Sequence, residues 1–276
     1  MQIQDKTILI TGGARVGKVV ARLLQDAGAQ IAMTYLASED EVASGAKGYK
    51  LNVTDEASVR VLLPAVTKDF GSVDGLVNMV SIFSTDSEAI SFAEMHKTFC
   101  INAFGNMLLS RLFAEAASGS SPDKGRVGGV SDQVQPPRSK TSNPLYPPYQ
   151  GEEKGRSGGS NLPAPIVSFI DWAIDHPYAD YDIYMAAKAA LRHYLMALQT
   201  TFAGTIRVVN IHPGMILEPE GFRPDVKQSI MDNTPTQNIG SPEQAAKLVK
   251  TALELDFLAD NIYLAGGQQW RHRLKS

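Results

Sequence analysis

The stretch that most constrains this chain lies near its start: Thr7-Ile8-Leu9-Ile10, a short β-branched apolar run, then Thr11-Gly12-Gly13-Ala14-Arg15-Val16-Gly17, then apolar residues at helical spacing, Val19, Val20, Leu23, Leu24 and Ala27. The pattern predicts a strand, a tight turn and a helix. Glycines let the turn's backbone N–H groups approach a ligand closely, and the positive end of the helix dipole behind them favours an anion, so the unit suits a pyrophosphate. Glycine-rich turns also open ordinary helices; the position after the first strand and before an amphipathic helix is what gives this one weight.

Further along, Tyr184 and Lys188 stand four residues apart. In a helix that spacing puts both side chains on one face, roughly 6 Å apart. An ammonium beside a phenol favours the phenolate and lowers the tyrosine's pKa from its usual value of about 10, giving a proton donor usable near neutrality. Such a pair can protonate an atom that receives hydride. A lysine snorkelling past a half-buried ring has the same spacing. The apolar run Ile166–Ile170 adds context: it delivers Asp171 at its C-terminal end, thirteen residues before Tyr184. Ligands of open α/β sheets gather outside those strand ends.

With these residues in view, the sequence resembles the short-chain dehydrogenase/reductase family, whose Tyr-x-x-x-Lys helix follows a strand ending in a polar residue thirteen positions before the tyrosine. That residue is normally serine. Asp171 in its place looks like the pteridine reductase branch, as does a second tyrosine, Tyr181, three residues before Tyr184. The resemblance covers nearly the whole chain. Strands alternating with helices independently predict one doubly wound α/β domain with a mostly parallel sheet and a crevice at the strand C-termini. The resemblance adds an expectation of seven strands and a homotetramer.

The family usually has one more residue between the first and last glycines of its turn, so Lys18 falls at the last glycine by simple counting. Aligning Gly17 there implies a shortened loop with Gly12, Arg15, Val16 and Gly17 against the cofactor, and matches Arg15 to an arginine that touches both cofactor and pterin. The second strand, Gln30 to Thr34, exits through Tyr35-Leu36-Ala37-Ser38 without the acidic residue that an NAD site places on the ribose 2′-hydroxyl. NADP(H) is therefore the expected cofactor, with Arg15, Tyr35 and Ser38 as 2′-phosphate ligands. Asn52-Val53 stands where the family's Asp-Val or Asp-Leu touches adenine, and an asparagine both donates and accepts there. The fourth strand and its exit, Gly75 to Ser81, resemble the family's Asn-Asn-Ala-Ser element through Asn78 and Ser81.

Phe83 matches the aromatic that pteridine reductases stack over the pterin. In a long helix, roughly Phe92 to Ala117, Asn102 matches an asparagine whose main chain opens to hold a water linking the lysine to solvent. A sixth strand, Ile206 to Ile211, leads into His212-Pro213-Gly214, like the family's Pro-Gly turn against the nicotinamide. The resemblance therefore implies Asp171, Tyr184, Lys188 and Asn102 as the catalytic set, and Arg15, Ser81, Phe83, Tyr181, Tyr184 and Asp171 around the substrate.

Two segments stand apart. Residues 118–163 are crowded with Gly, Ser, Pro, Lys and Arg and lack apolar periodicity, so a surface loop dispensable for folding is expected, with Pro136-Pro137 and Pro147-Pro148 as a conceivable partner contact. Residues 215–238 look like a substrate lid. A composition of 43% hydrophobic and 20% charged residues is that of a globular protein, and a net charge of −3 gives no reason to expect nucleic acid. The single cysteine, Cys100, fits a reducing cytoplasm, and the five scattered histidines, His212 among them, predict no metal site. No basic leader or long apolar span predicts membrane attachment.

The leading expectation is NADPH-dependent reduction of a pterin-like C=N bond. The alternatives are a carbonyl or 3-oxoacyl thioester reductase of the same fold, and a non-catalytic NADP(H)-sensing or scaffold protein. An ionised Asp171 can only accept hydrogen bonds, which counts against a carbonyl oxygen at that place.

Overall fold

A computed structural model describes residues 1–86, 90–119, 162–177, 179–218 and 221–269. Seven parallel strands form one sheet in the order β3-β2-β1-β4-β5-β6-β7: β1 Thr7–Thr11, β2 Gln30–Tyr35, β3 Lys47–Lys50, β4 Gly75–Asn78, β5 Ala164–Phe169, β6 Ile206–Pro213 and β7 Asp260–Leu264. The sheet is parallel throughout, where the sequence predicted it mostly so. Chain order reverses between β1 and β4, and the crevice at that switch point is where a doubly wound sheet takes its ligand.

The central strands read as apolar runs because both faces are covered. On one face, α1 (Val16–Asp26) and α7 (Pro242–Glu254) bury Ile8, Ile10, Val167 and Val209. On the other, α2 (Glu56–Phe70), α4 (Gly105–Ala117) and α5 (Asp182–Thr201) bury Leu9, Leu76, Ile166 and Val208. A capping box of Ser241 with Gln244 starts α7, and Pro242 occupies its first turn.

The long helix expected over Phe92 to Ala117 is divided. Residues Phe92–Phe99 form α3, Cys100–Phe104 widen into a π-turn, and α4 follows. The widening centres on Asn102, whose Oδ1 accepts from Ser81 Oγ at 2.8 Å and from Ile82 N at 2.9 Å. Two donors from the loop after β4 thus hold the side chain there; π-turns of this kind mark functional places in helices. Gly105 is a packing requirement rather than a mere helix defect, since a Cβ there would lie 2.4 Å from the Val53 carbonyl oxygen.

Within the expected lid, Pro224–Asp232 form α6. Almost all of the expected insertion at 118–163, including both proline pairs, lies outside the described residues. Among the described residues, no helix is long and apolar enough to cross a membrane, and no group of three His, Cys, Asp or Glu side chains converges as metal ligands would.

Candidate active site

A cavity of about 780 Å³ opens at the C-terminal ends of β1, β2, β4, β5 and β6. Gly12, Arg15 and Val16 of the first turn line it. Gly12 and Gly13 have φ of 67° and 76°, in the left-handed region. A Cβ on Gly12 would lie 2.8 Å from Val80 Cγ2 and 2.9 Å from Val80 Cα, so the turn is pressed against the chain leaving β4. The N-terminus of α1 has no side-chain cap and no acid in its first turn. Its free N–H groups therefore remain available to an anion, which suits a dinucleotide's pyrophosphate.

Gly17 does not line the cavity. It is buried against the turn, where a Cβ would lie 2.7 Å from the Gly12 carbonyl oxygen, while Lys18 turns away and donates to the Asp40 carbonyl. Asn52 and Val53 do line the cavity. Asn52 Oδ1 is taken by Thr54, N at 3.1 Å and Oγ1 at 2.8 Å, which leaves the amide NH₂ to meet a ring nitrogen.

Asp171, Tyr184, Lys188, Pro213 and Gly214, from β5, α5 and β6, line the same cavity. Tyr184 Oη donates to Asp171 Oδ2 at 3.0 Å, and Asp171 Oδ1 accepts from Ala173 N at 2.8 Å. Lys188 Nζ donates to the Phe169 carbonyl at 2.9 Å and lies 6.0 Å from the Tyr184 ring centre. Burial lowers the Lys188 pKa to about 8 against the opposing pull of Asp171. Burial likewise raises the Asp171 pKa, although Ala173 N–H, Tyr184, Lys188 and His212 all favour its charged form.

Several expected ligands stand elsewhere. Asn78, expected beside the cofactor, is buried between the sheet and α4 with its Nδ2 donating to Ser110 Oγ at 2.9 Å, and it does not reach the cavity. Ser38 does not line it either: its hydroxyl accepts from Asp40 N at 3.2 Å, capping a short helical turn. Tyr35 lines the cavity, yet its hydroxyl donates to Glu39 Oε1 at 3.0 Å. Ser81 is present at the wall, whereas Phe83 and Tyr181 do not line it. They stack on each other at 4.5 Å and 15°, with Phe83 edge-on to Tyr184 at 5.0 Å. No ring fits between two stacked rings that close, so a flat substrate would have to use the other side of Phe83 or displace it.

Two residues at the site escaped the sequence reading. Glu41 lines the cavity next to Tyr35, and its Oε2 accepts from Leu36 N at 3.1 Å. The expectation of NADP(H) considered only the residues up to Ser38. The acidic run Glu39-Asp40-Glu41 directly behind was the available signal, but only the fold shows that Glu41 bends back to the strand end. His212, which the sequence reading weighs only as a metal ligand and as part of the turn before Pro213, is fully buried with its Nδ1 at 2.9 Å from the Asp171 carbonyl oxygen and its Nε2 at 2.8 Å from Asn261 Oδ1. It therefore ties the end of β5 to β7 directly beneath the Asp171 main chain. Nothing local in the sequence distinguishes it from the other histidines.

Comparison with known proteins places this geometry. A family model described as enoyl-(acyl carrier protein) reductase matches residues 13–127. The 3-oxoacyl-[acyl-carrier-protein] reductase FabG of Vibrio cholerae is 38% identical over 89 residues, 30% of this chain and 36% of that protein. Levodione reductase of Leifsonia aquatica is 31% identical over 144 residues, 46% of this chain and 54% of that protein. The chain thus spans about a third to a half of the curated relatives it matches. Among solved structures, a short-chain dehydrogenase/reductase from Serratia marcescens superposes with a TM-score of 0.75 at 17% identity, covering 98% of this chain and all of that one. The aldohexose dehydrogenase of Thermoplasma acidophilum does so at 0.75 and 19%, covering 96% and 94%. The structural likeness shows the fold, and the sequence matches support the short-chain dehydrogenase/reductase family; neither singles out the pteridine reductase branch.

Proposed function

We propose that this chain is a nicotinamide-dependent oxidoreductase of the short-chain dehydrogenase/reductase type, reducing a ketone. The carrying observation is that one cavity is lined both by the turn before the uncapped α1 and by Asp171, Tyr184 and Lys188. The bound cofactor supplies a hydride. Tyr184 Oη gives its proton to the substrate oxygen as the hydride reaches the carbon, and the buried Lys188 ammonium stabilises the phenolate left behind. Asn102 joins the loop after β4 to the helix carrying Lys97 and Ile101, which face the cavity. The relatives' names, a 3-oxoacyl reductase and levodione reductase, support the ketone reading. We take the cofactor to be NADP(H), with Arg15 meeting the 2′-phosphate, and the assembly to be a homotetramer.

A second reading is favoured by Asp171 itself. A carboxylate that accepts from Tyr184 also suits the N–H groups of a pterin-like ring whose C=N bond is reduced. One experiment addresses both: oxidation of NADPH and NADH is followed with ketones, a 3-oxoacyl thioester, dihydropterins and dihydrofolate, using wild type and Asp171→Ser. The ketone reading expects turnover of ketones by wild type and more by Asp171→Ser, which regains a hydroxyl donor. The pterin reading expects a loss on the order of 100-fold in pterin reduction. No turnover by wild type with any of them sinks both.

A further inference from the structure

The helix that carries Tyr184 and Lys188 is capped from a distant part of the chain. The side chain of Tyr181, the residue preceding α5, does not cap the helix. Instead Ile183 N–H donates to Asp86 Oδ2 at 3.2 Å, and Asp86 N–H donates to the Asp180 carbonyl at 2.8 Å. Asp86 is therefore fastened twice to the start of α5, and its carboxylate sits at the positive end of that helix. Asp180 has φ of 68°, a left-handed conformation that a non-glycine residue keeps only where its surroundings fix it. That reversal sets the course of the chain into Tyr181, whose ring lies flat on Phe83.

The segment between β4 and Asp86 is thus held at both ends. Asn102 grips Ser81 and Ile82, and the start of α5 grips Asp86. Phe83 lies between the two grips, 56% exposed yet edge-on to Tyr184, the third residue of α5. Its position cannot come from burial in a core. The anchors, the stack on Tyr181 and the edge contact with Tyr184 contribute to it.

We propose that Asp86 is a positioning residue: by capping α5 across the fold, it fixes Phe83, which follows the cavity-lining Ser81 and Ile82, as an aromatic rim just outside the cavity and edge-on to the Tyr184 ring, and so sets how a substrate that reaches past the cavity mouth lies. Only the kinetic part of this proposal rests on the reductase reading. Capping acts on the first turn of a helix, so loss of the cap loosens the start of α5 and the Asp86 end of the loop that carries Phe83, while Tyr184 keeps its bond to Asp171 and α1 and its turn stay intact.

The test compares wild type, Asp86→Ala and Asp86→Asn, each as the full chain with NADPH present. Asparagine keeps the accepting oxygen and serves as the rescue. In Asp86→Ala, hydrogen exchange at the Ile183 amide should quicken about tenfold, and the Phe83 ring resonances should move as the stack on Tyr181 loosens. Asp86→Asn should stay within about twofold of wild type in exchange. With the substrate that the panel identifies, Asp86→Ala should raise KM about tenfold while kcat and cofactor affinity change less than about threefold, and Asp86→Asn should restore KM. Unchanged Ile183 exchange in Asp86→Ala would overturn the proposal. So would quickened exchange with unchanged KM, or equal losses of kcat and cofactor binding in both variants, which would mark a merely structural role. Should wild type reduce nothing in the panel, the reductase reading fails, while Ile183 exchange and the Phe83 resonances still decide whether Asp86 holds the rim.

Discussion

Replacing Lys188 with methionine should change the protein's stability in a pH-dependent way that follows from where the ammonium sits. Lys188 is 2% exposed, and its pKa falls from 10.5 to about 8 because burial disfavours the charge. Between those two values the unfolded chain holds a proton that the folded chain has released. Stability therefore rises with pH through that window, and the full penalty, about 3 kcal/mol, is present below about pH 8. Methionine fills similar space and does not titrate. The variant escapes the penalty but leaves the Phe169 carbonyl, 2.9 Å from Nζ, without its donor, a loss of about 1–3 kcal/mol that does not vary with pH.

Near neutrality the variant should thus equal or exceed wild type in stability by up to about 2 kcal/mol. Between about pH 7 and about pH 9.5 wild type should gain roughly 2 kcal/mol on it from the titration of Lys188 itself. Urea unfolding of the two chains at several pH values reads this difference directly. Hydride transfer should meanwhile drop at least about 100-fold in the variant. A stability difference constant to within about 0.5 kcal/mol across that range would refute the claim that Lys188 carries a charge into the fold.

Two further outcomes can be checked by cofactor titration. Glu41→Gln removes the acid beside the Leu36 amide, so NADPH should bind about tenfold tighter while NADH changes little; equal effects on both would detach Glu41 from the 2′ position. Gly12→Ala puts a Cβ at 2.8 Å from Val80 in a left-handed backbone, so cofactor affinity should fall at least about tenfold and stability by about 1–3 kcal/mol; wild-type binding would refute the close approach.

What the sequence made legible is what depends on near neighbours. The Thr7–Ala27 unit shows itself through the switch from β-branched run to helical spacing, and Tyr184 and Lys188 share a face because a helix puts residues four apart together. Asp171 shows itself at the end of the apolar run Ile166–Ile170, and its part in a site is what the resemblance implies. The remainder depends on contacts between segments far apart. His212 meets Asp171 and Asn261 across 41 and 49 positions, and Asp86 meets Ile183 across 97. Asn78 has the right residue type at the strand end, but Ser110 on α4 draws it inward. The resemblance implies Phe83 and Tyr181 around a substrate ring. Side-chain stacking between distant loops, which no spacing rule captures, joins them instead.

The charge on Asp171 decides which substrate the site suits, and stability can measure it without any substrate. Burial raises its pKa, so folding disfavours the carboxylate relative to the unfolded chain. The sign follows: the acid form is no handicap below the unfolded value of about 3.8, and stability is lost as pH rises from there through the folded pKa. Asp171→Asn keeps the shape and an acceptor for Tyr184 but does not titrate. Its stability relative to wild type should therefore climb with pH and level off just above the folded pKa of Asp171, which the onset of the plateau reports. A plateau reached by about pH 6 means an ionised acceptor at neutrality, matched to ring N–H groups. A plateau not reached until above about pH 8 means a neutral acid whose O–H can donate to a substrate carbonyl as a serine hydroxyl would, in which case Asp171→Ser has no donor to regain. A relative stability that does not vary with pH, or that falls as pH rises, would refute the raised pKa, because only a group harder to ionise in the folded state gives a rising difference.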